Sequence, residues 1–95
     1  MAAYVIASVD VTDPDLYDEY RAQVPATIEQ YGGRFLVRGG DKEILEGGWD
    51  PPRIVVLEFP DADAARRWHS SEEYRPLIEL RQRASNGDLV LVEGV

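Results

Sequence analysis

The feature that most constrains the fold is a strand-to-helix pattern that occurs twice along the chain. The segments IASVDVTDPD, which starts at Ile6, and IVVLEFPDAD, which starts at Ile54, align when the chain is shifted by 48 positions. Each is a run of β-branched residues followed by an aspartate at a helix N-cap position, Asp13 in the first and Asp61 in the second. Two such units in one short chain predict a split β-α-β layout, the ferredoxin-like pattern.

The remaining segments complete an α+β arrangement. An apolar residue recurs every fourth position from Leu16 to Ile28, which predicts the first helix, and Tyr20 in this stripe aligns with Trp68 in the second unit. The predicted order is β-α-β-(β)-β-α-α-β, in which KEILEGG is the optional strand that extends its predecessor or pairs with it. The predicted strands are Tyr4–Val11, Arg34–Gly40, Arg53–Phe59 and Asp88–Val95.

Three local features predict where helices break, begin and end. Pro25 interrupts the first apolar stripe, so we expect a kink there or a break into two helical pieces. Ser70 and Glu73 have the spacing of a capping box, which predicts the start of a further helix. Asn86 and Gly87 then predict its end.

The length and composition exclude several classes of function. The 95 residues predict a single domain, residues 1–95, with no disulfide because cysteine is absent. With one histidine and no cysteine, we expect neither a metal nor a cofactor. The net charge of −8 disfavours nucleic acid and anionic membranes. No apolar run is long enough to span a membrane and the N-terminus lacks a basic region, so we expect a cytoplasmic protein.

The predicted strands are apolar on both faces. On the first strand Val5, Ala7 and Val9 share one face, while Tyr4 and Ile6 lie on the other. A ferredoxin-like sheet carries helices on one side only, so its other side would expose a large apolar surface. A second copy packed sheet to sheet would cover that surface, which predicts a homodimer. The alternative is a monomer with a modest exposed patch.

Residues along most of the chain resemble a known family. GGRFLVRGG, followed by the stretch from EGGWDPPRIVVLEFP to NGDLVLVEG, closely resembles the domain of unknown function 1330 family, with similarity from Tyr4 to Gly94. The most specific parts are Gly33–Gly40 and the spacing of Trp68, Ser71, Glu73, Tyr74 and Arg81. The resemblance implies the dimeric α+β barrel superfamily, in which a ferredoxin-like protomer with an antiparallel sheet, here with an extra C-terminal helix, forms a sheet-to-sheet dimer.

That superfamily includes cofactor-free monooxygenases, muconolactone isomerase-like enzymes and haem-dependent peroxidases. The 1330 family itself has no assigned activity, and a shared fold does not transfer function. The resemblance therefore implies the fold and the assembly, and leaves the reaction open.

Five residues are candidates for a site. His69, the only histidine, is a candidate general base or an ordinary histidine at a helix end. Trp68 and Tyr74 are candidate substrate-binding residues, or core residues with their polar atoms bonded. Arg38, on the same predicted face as Leu36, could bind a carboxylate or form a structural ion pair. Trp49 is a candidate interface or lid residue, or packs on its own loop. Arg66 and Arg67 read as solvated helix charges.

Two functional hypotheses follow. The first is a cofactor-free enzyme of isomerase, proton-transfer or monooxygenase type, acting on a small organic acid in a pocket lined by Trp68 and Tyr74. The second is a non-catalytic homodimeric module that binds a metabolite or another protein. The sequence leaves the substrate and the reaction open.

Overall fold

The computed structural model, which describes residues 1–95, has one four-stranded antiparallel sheet with three helices on one of its faces. The strands follow the order β2-β3-β1-β4, which together with the β-α-β-β-α-α-β sequence of elements confirms the ferredoxin-like fold with one additional helix. No helix combines the length and apolarity needed to cross a membrane. The elements are β1 Ala3–Val11, α1 Pro14–Gln30, β2 Arg34–Arg38, β3 Arg53–Phe59, α2 Ala62–His69, α3 Arg75–Ala84 and β4 Ser85–Glu93.

Both predicted aspartate caps are confirmed. Oδ1 of Asp13 accepts a hydrogen bond from the backbone N–H of Leu16 at 3.1 Å, and Oδ1 of Asp61 accepts one from the N–H of Ala64 at 2.7 Å. Each bond satisfies a backbone donor that the first helical turn leaves without an intrahelical partner. The two β-α units therefore begin their helices in the same way.

The two faces of the sheet differ as the strand alternation predicts. The side chains of Val5, Ala7 and Val9 are buried on the helix-covered face, where they belong to the same core cluster as Tyr20 and Trp68. On the opposite face the register aligns one aliphatic side chain from each strand, and we call this the open face. Its central row, from one sheet edge to the other, consists of Val37, Val56, Ile6 and Val90.

One prediction about the first half of the chain is narrowed and another is corrected. Pro25 does not break α1 into two pieces, because the helix runs continuously to Gln30, and the kink that was the other alternative stays a prediction. KEILEGG forms no strand, and the chain between β2 and β3 is irregular from Gly39 to Pro52. Its glycines and the two prolines at its end do not favour a ladder.

The predicted boundaries of the last helix are also wrong. Helix α3 begins at Arg75, one turn after the predicted capping box, and its N-cap residue Tyr74 makes no side-chain cap. The hydroxyl of Ser70 instead donates to the carbonyl of Arg66. At the other end α3 stops at Ala84, and Asn86 and Gly87 belong to β4, paired with β1. A Cβ on Gly87 would lie 2.1 Å from the carbonyl oxygen of Ser8, so this glycine permits close strand pairing rather than helix termination.

Candidate functional site

An apolar groove of about 240 Å³ lies between α2 and the edge strand β4. Trp68 and His69 follow Ala65 by three and four positions on α2, so all three side chains lie on the helix face that borders the strand. Six of the eight lining residues are hydrophobic, and the other two, Arg66 and His69, have polar side chains. The groove, called the α2–β4 groove below, is lined by Val5, Ala65, Arg66, Trp68, His69, Leu89, Val90 and Leu91.

His69 contributes a neutral imidazole to this groove. Partial burial lowers the pKa of His69 below its usual value of 6.5, and the positive charge of Arg81 lowers it further. The imidazole ring centre lies 6.2 Å from that of Trp68 and 6.1 Å from that of Tyr74. An unprotonated imidazole beside apolar surface is suited to accept a proton from a bound molecule.

Arg66 supplies the positive charge at the groove. Its guanidinium donates to Oδ1 of Asp63 at 2.9 Å, and both side chains are more than half exposed. An ion pair in such a solvated position contributes little to stability, so an anionic ligand could displace Asp63 at low cost. The structure confirms that Arg66 is a solvated helix charge. Its position at the groove could not be predicted from the sequence, because the groove forms only when α2 packs beside β4.

Trp68 and Tyr74 lie behind the groove in the core. Their rings stack with centres 4.1 Å apart, and the residues are 1% and 0% exposed. The indole N–H of Trp68 donates to the hydroxyl of Thr27 at 3.1 Å. The structure therefore gives both residues the core packing that was one of their two interpretations, while Trp68 also forms part of the groove wall.

A hydrogen-bonded pair of phenols extends this buried cluster. The hydroxyls of Tyr20 and Tyr74 lie 2.8 Å apart, and Arg81 donates to the Tyr74 hydroxyl at 2.8 Å. Burial raises the pKa of both tyrosines above 10, and the proximity of the other phenol raises that of Tyr20 further. Both phenols therefore remain protonated at neutral pH, and they join α1 to the start of α3.

The turn between α2 and α3 is fixed to both neighbouring helices. The hydroxyl of Ser71 donates to the carbonyl of Trp68 at 2.7 Å and accepts from the N–H of Tyr74 at 3.1 Å. Glu73 accepts from the Tyr31 hydroxyl at 2.9 Å, and its own backbone N–H and this bond lower the pKa of its carboxyl. These bonds connect the turn that follows His69 to α2, to α3 and to the end of α1.

Arg38 lies on a different face from the one that strand alternation predicts. A β-bulge between Phe35 and Val37 places Arg38 opposite Val55, on the helix side of the sheet, while Val37 turns to the open face. The Arg38 guanidinium lies 4.4 Å from the centre of the Phe35 ring and donates to the carbonyl of Arg21 at 2.8 Å. The predicted face of Arg38 is therefore wrong.

The bond from Arg38 also explains why Pro25 does not break α1. Proline at position 25 has no N–H to donate to the carbonyl four residues earlier, which is that of Arg21. The guanidinium of Arg38 supplies the donor that this carbonyl lacks. Because β2 and β4 are opposite edges of the sheet, about 14 Å apart at about 4.8 Å per strand, Arg38 and the α2–β4 groove do not form one small-molecule site. Carboxylate binding by Arg38 stays a prediction.

Trp49 lies on the irregular segment between β2 and β3 and is 66% exposed, so it does not pack closely over its own loop. Lys42 and Asp50 form an ion pair that ties the two ends of this segment together. Ile44, Leu45 and Trp49 line a shallow concavity of about 280 Å³ that reaches Ile54 at the edge of the open face. The apolar surface of the segment is thus continuous with that of the sheet.

Other parts of the molecule offer less for a small organic ligand. A concavity of about 380 Å³ between α1 and α3 is larger than the α2–β4 groove, but only two of its eight lining residues are hydrophobic. We favour the groove because ligand sites combine apolar walls with a few polar groups. No group of three or more histidine, cysteine, aspartate or glutamate residues is placed to hold a metal ion.

Comparison with protein families identifies the chain. Residues 2–95 match the family described as domain of unknown function (DUF1330), so the chain belongs to that family. No functionally curated protein matches the sequence.

Solved structures share the fold. A protein of unknown function from Rhodopseudomonas palustris, RPA0582, superposes with a TM-score of 0.75 at 18% identity, over 99% of this chain and 82% of that one. SnoaB, a cofactor-independent oxygenase from Streptomyces nogalater, gives a TM-score of 0.64 at 18% identity, over 99% and 92%. An antibiotic biosynthesis monooxygenase gives 0.53 at 22% identity, over 98% of each chain. At these identities the likeness establishes the fold alone.

Proposed function

We propose that the protein is a cofactor-free enzyme that binds a small organic acid in the α2–β4 groove and transfers a proton within it. The observation that carries the proposal is the meeting of an apolar wall, a neutral imidazole and a guanidinium in one concavity. In this assignment Arg66 holds the carboxylate of the ligand, Trp68 and the β4 side chains contact its apolar body, and His69 accepts the proton.

The chemistry begins with the removal of a proton from a carbon beside a carbonyl group. His69 takes the proton and becomes an imidazolium, which leaves a carbanion on the substrate. In an isomerase the imidazolium returns the proton to another carbon. In a monooxygenase the reacting carbon carries two hydrogens. After loss of the first, the carbanion adds dioxygen with formation of a carbon–oxygen bond, and the peroxide anion takes the proton back; loss of the second hydrogen with cleavage of the oxygen–oxygen bond releases water and leaves a carbonyl. The similarity in fold to a cofactor-independent oxygenase favours the second course by analogy.

Homodimerisation through the open face is part of the same proposal. The row Val37, Val56, Ile6 and Val90 presents aliphatic surface across all four strands, and Val90 is 57% exposed. Soluble monomers rarely leave such a surface uncovered. Because Val90 also lines the α2–β4 groove, a partner on the open face would border the site. A monomer with an exposed patch is the alternative, and the cytoplasmic location stays a prediction.

Light scattering after size exclusion tests the assembly. Wild-type protein is expected at twice the mass of one chain. Ile6→Lys places a charge at the centre of the open face and is expected to give folded monomer, whereas Gln82→Lys, with the same charge change on the exposed surface of α3, should stay dimeric. A wild-type protein with the mass of one chain contradicts the dimer.

A non-catalytic role in binding is the second candidate function. Trp49, Ile44 and Leu45 form an exposed apolar surface that is unusual in an otherwise acidic chain and is suited to contact a protein partner. A binding module of this kind would give ligand-dependent thermal shifts with no product formed, and Trp49→Ser would weaken partner binding without affecting the groove.

The chain offers a matched control for the enzyme hypothesis. Arg66 lines the groove and its neighbour Arg67 does not. In a thermal-shift screen of small aromatic and aliphatic acids, we expect Arg66→Gln to abolish stabilisation by the best ligand and Arg67→Gln to retain it. His69→Gln should retain binding and lose turnover, which is followed by product analysis in air. Equal behaviour of the two arginine variants would contradict the site, and turnover retained in His69→Gln would contradict the proton transfer.

A further inference from the structure

A second, smaller cavity lies in the core directly behind the α2–β4 groove. It occupies about 30 Å³ between the helix-covered face of the sheet and α1, and we call it the core cavity. All of its lining residues are hydrophobic: Val5, Ala7, Val9, Tyr17, Tyr20, Val24, Ile28, Phe35, Val55, Leu57, Trp68, Tyr74 and Leu89. The cavity exceeds the roughly 10–15 Å³ that one water-sized molecule requires.

The lining of the core cavity does not suit water. The hydroxyls of Tyr20 and Tyr74 are bonded to each other, and the indole N–H of Trp68 is bonded to Thr27. The bond between the two phenols uses one of their two hydrogens, so the other phenol hydrogen and the hydroxyl of Tyr17 are the polar groups left in an otherwise apolar lining. A buried water typically makes about three hydrogen bonds, more than these groups supply, whereas apolar cavities accept ligands such as xenon.

The core cavity and the groove share a wall. Val5, Trp68 and Leu89 line both spaces, so a single layer of side chains separates the cavity from the place where we put the organic acid. Leu89, on the edge strand β4, is only partly buried, whereas Val5 and Trp68 are buried. A small molecule in the cavity therefore has a short route to the groove.

We propose that the core cavity is a binding site for a small apolar gas molecule, and that dioxygen occupies it in the cell. Dioxygen is diatomic and apolar, needs no hydrogen bond, and gains dispersion contacts from the aromatic rings of Phe35, Trp68 and the tyrosines. Its use in catalysis rests on the proposed function, since a carbanion formed in the groove would meet dioxygen from the adjoining space. Its occupancy does not rest on that function.

Xenon and dioxygen are the probes. Protein with ¹³C-labelled methyl groups is titrated with xenon without any organic ligand. We expect saturable shifts of the methyls of Val5, Val9, Val24, Val55 and Leu89, and under dioxygen pressure the same methyls should show the strongest paramagnetic relaxation.

Neighbouring valines on β3 supply the matched variants. Val55 lines the core cavity, whereas Val56 lies on the open face, so each isoleucine substitution adds one methylene to a different side of the sheet. Val55→Ile is expected to reduce the saturable shifts of the remaining cavity methyls roughly fivefold or more by filling the space, and Val56→Ile should leave them unchanged. Ala7→Val fills the cavity from the central strand if Val55→Ile does not fold, as judged by circular dichroism.

Three results overturn the proposal: shifts that rise linearly with xenon pressure, shifts confined to Val90 and Leu91 or to the open face, and exchange cross-peaks that place water inside the cavity. Failure of the proposed function looks different. If the wild-type protein neither binds an organic acid nor turns one over, the proposed function of the groove is wrong. The xenon titration contains no organic acid, so it still tests the core cavity.

Discussion

Trp68 lies between two regions that differ in how far their polar side chains are hydrogen-bonded. In the buried cluster around Tyr20 and Tyr74, the polar atoms bond to one another, to Arg81 or to Thr27. In the α2–β4 groove on the other side of the indole, His69 makes no hydrogen bond and Arg66 has only a solvated ion pair. Satisfied polar groups stabilise a core, whereas groups left free beside apolar surface can serve a ligand. Three experiments test this contrast, and one tests the separate bond between Arg38 and α1.

Adjacent residues should give the largest difference. Trp68→Ala removes a side chain that is 1% exposed and is expected to cost about 3–5 kcal/mol, since burial and packing are lost together. His69→Ala removes a surface side chain that is only partly covered and makes no hydrogen bond, so it should change stability by less than about 0.5 kcal/mol. Urea unfolding of both variants measures the free energies of unfolding. Similar losses would show that the groove is also a structural element.

The phenol pair should make stability fall at high pH. Tyr74→Phe leaves the Tyr20 hydroxyl and the Arg81 guanidinium without their partner and is expected to cost about 1–3 kcal/mol. The folded-state pKa values of both tyrosines are raised above the unfolded value of 10. Stability should therefore be intact below pH 10 and fall above it, because the unfolded chain releases its protons first. The slope above pH 10 should be shallower in Tyr74→Phe, and an unchanged slope would contradict the coupling.

Arg38 and Pro25 should be energetically coupled. Arg38→Met is expected to cost about 1 kcal/mol, because the carbonyl of Arg21 then lacks its donor. In a Pro25→Ala background the backbone N–H of residue 25 returns and can bond to that carbonyl, so the same substitution should cost less. A double-mutant cycle by chemical denaturation measures the difference. Additive effects would contradict the role of Arg38 as the substitute donor for that carbonyl.

The smallest effect should come from the titration of His69. Because the folded-state pKa of His69 lies below the unfolded value of 6.5, the stability contributed by the neutral imidazole is complete above pH 6.5 and is lost as the pH falls from 6.5 toward the folded-state pKa. NMR titration of the ring protons should give a midpoint below 6.5. Arg81→Gln should raise the midpoint by removing a nearby positive charge, and Arg83→Gln serves as the control. A midpoint at or above 6.5 in wild type would contradict the neutral base.

Local chemistry determined much of the fold. Asp13 and Asp61 cap their helices because an N-cap bond involves residues only three apart, which the sequence shows directly. The burial of Val5, Ala7 and Val9 follows from strand alternation, and the alignment of Tyr20 with Trp68 follows from the repeat of one β-α unit. Membership of the DUF1330 family agrees with the fold that these patterns predict.

Tertiary pairing decided what local patterns could not. The bulge that turns Arg38 toward α1 depends on the register between β2 and β3, and the pattern of alternating residues contains no record of it. Ser71 rather than Ser70 bonds the turn, because the packing of Trp68 and Tyr74 sets where α3 begins. Arg66 and His69 share a groove only because α2 packs beside β4, a strand about twenty residues later. The sequence by itself predicts hydrogen bonds between residues that are close along the chain. A site formed by distant segments exists only in the folded structure that brings those segments together.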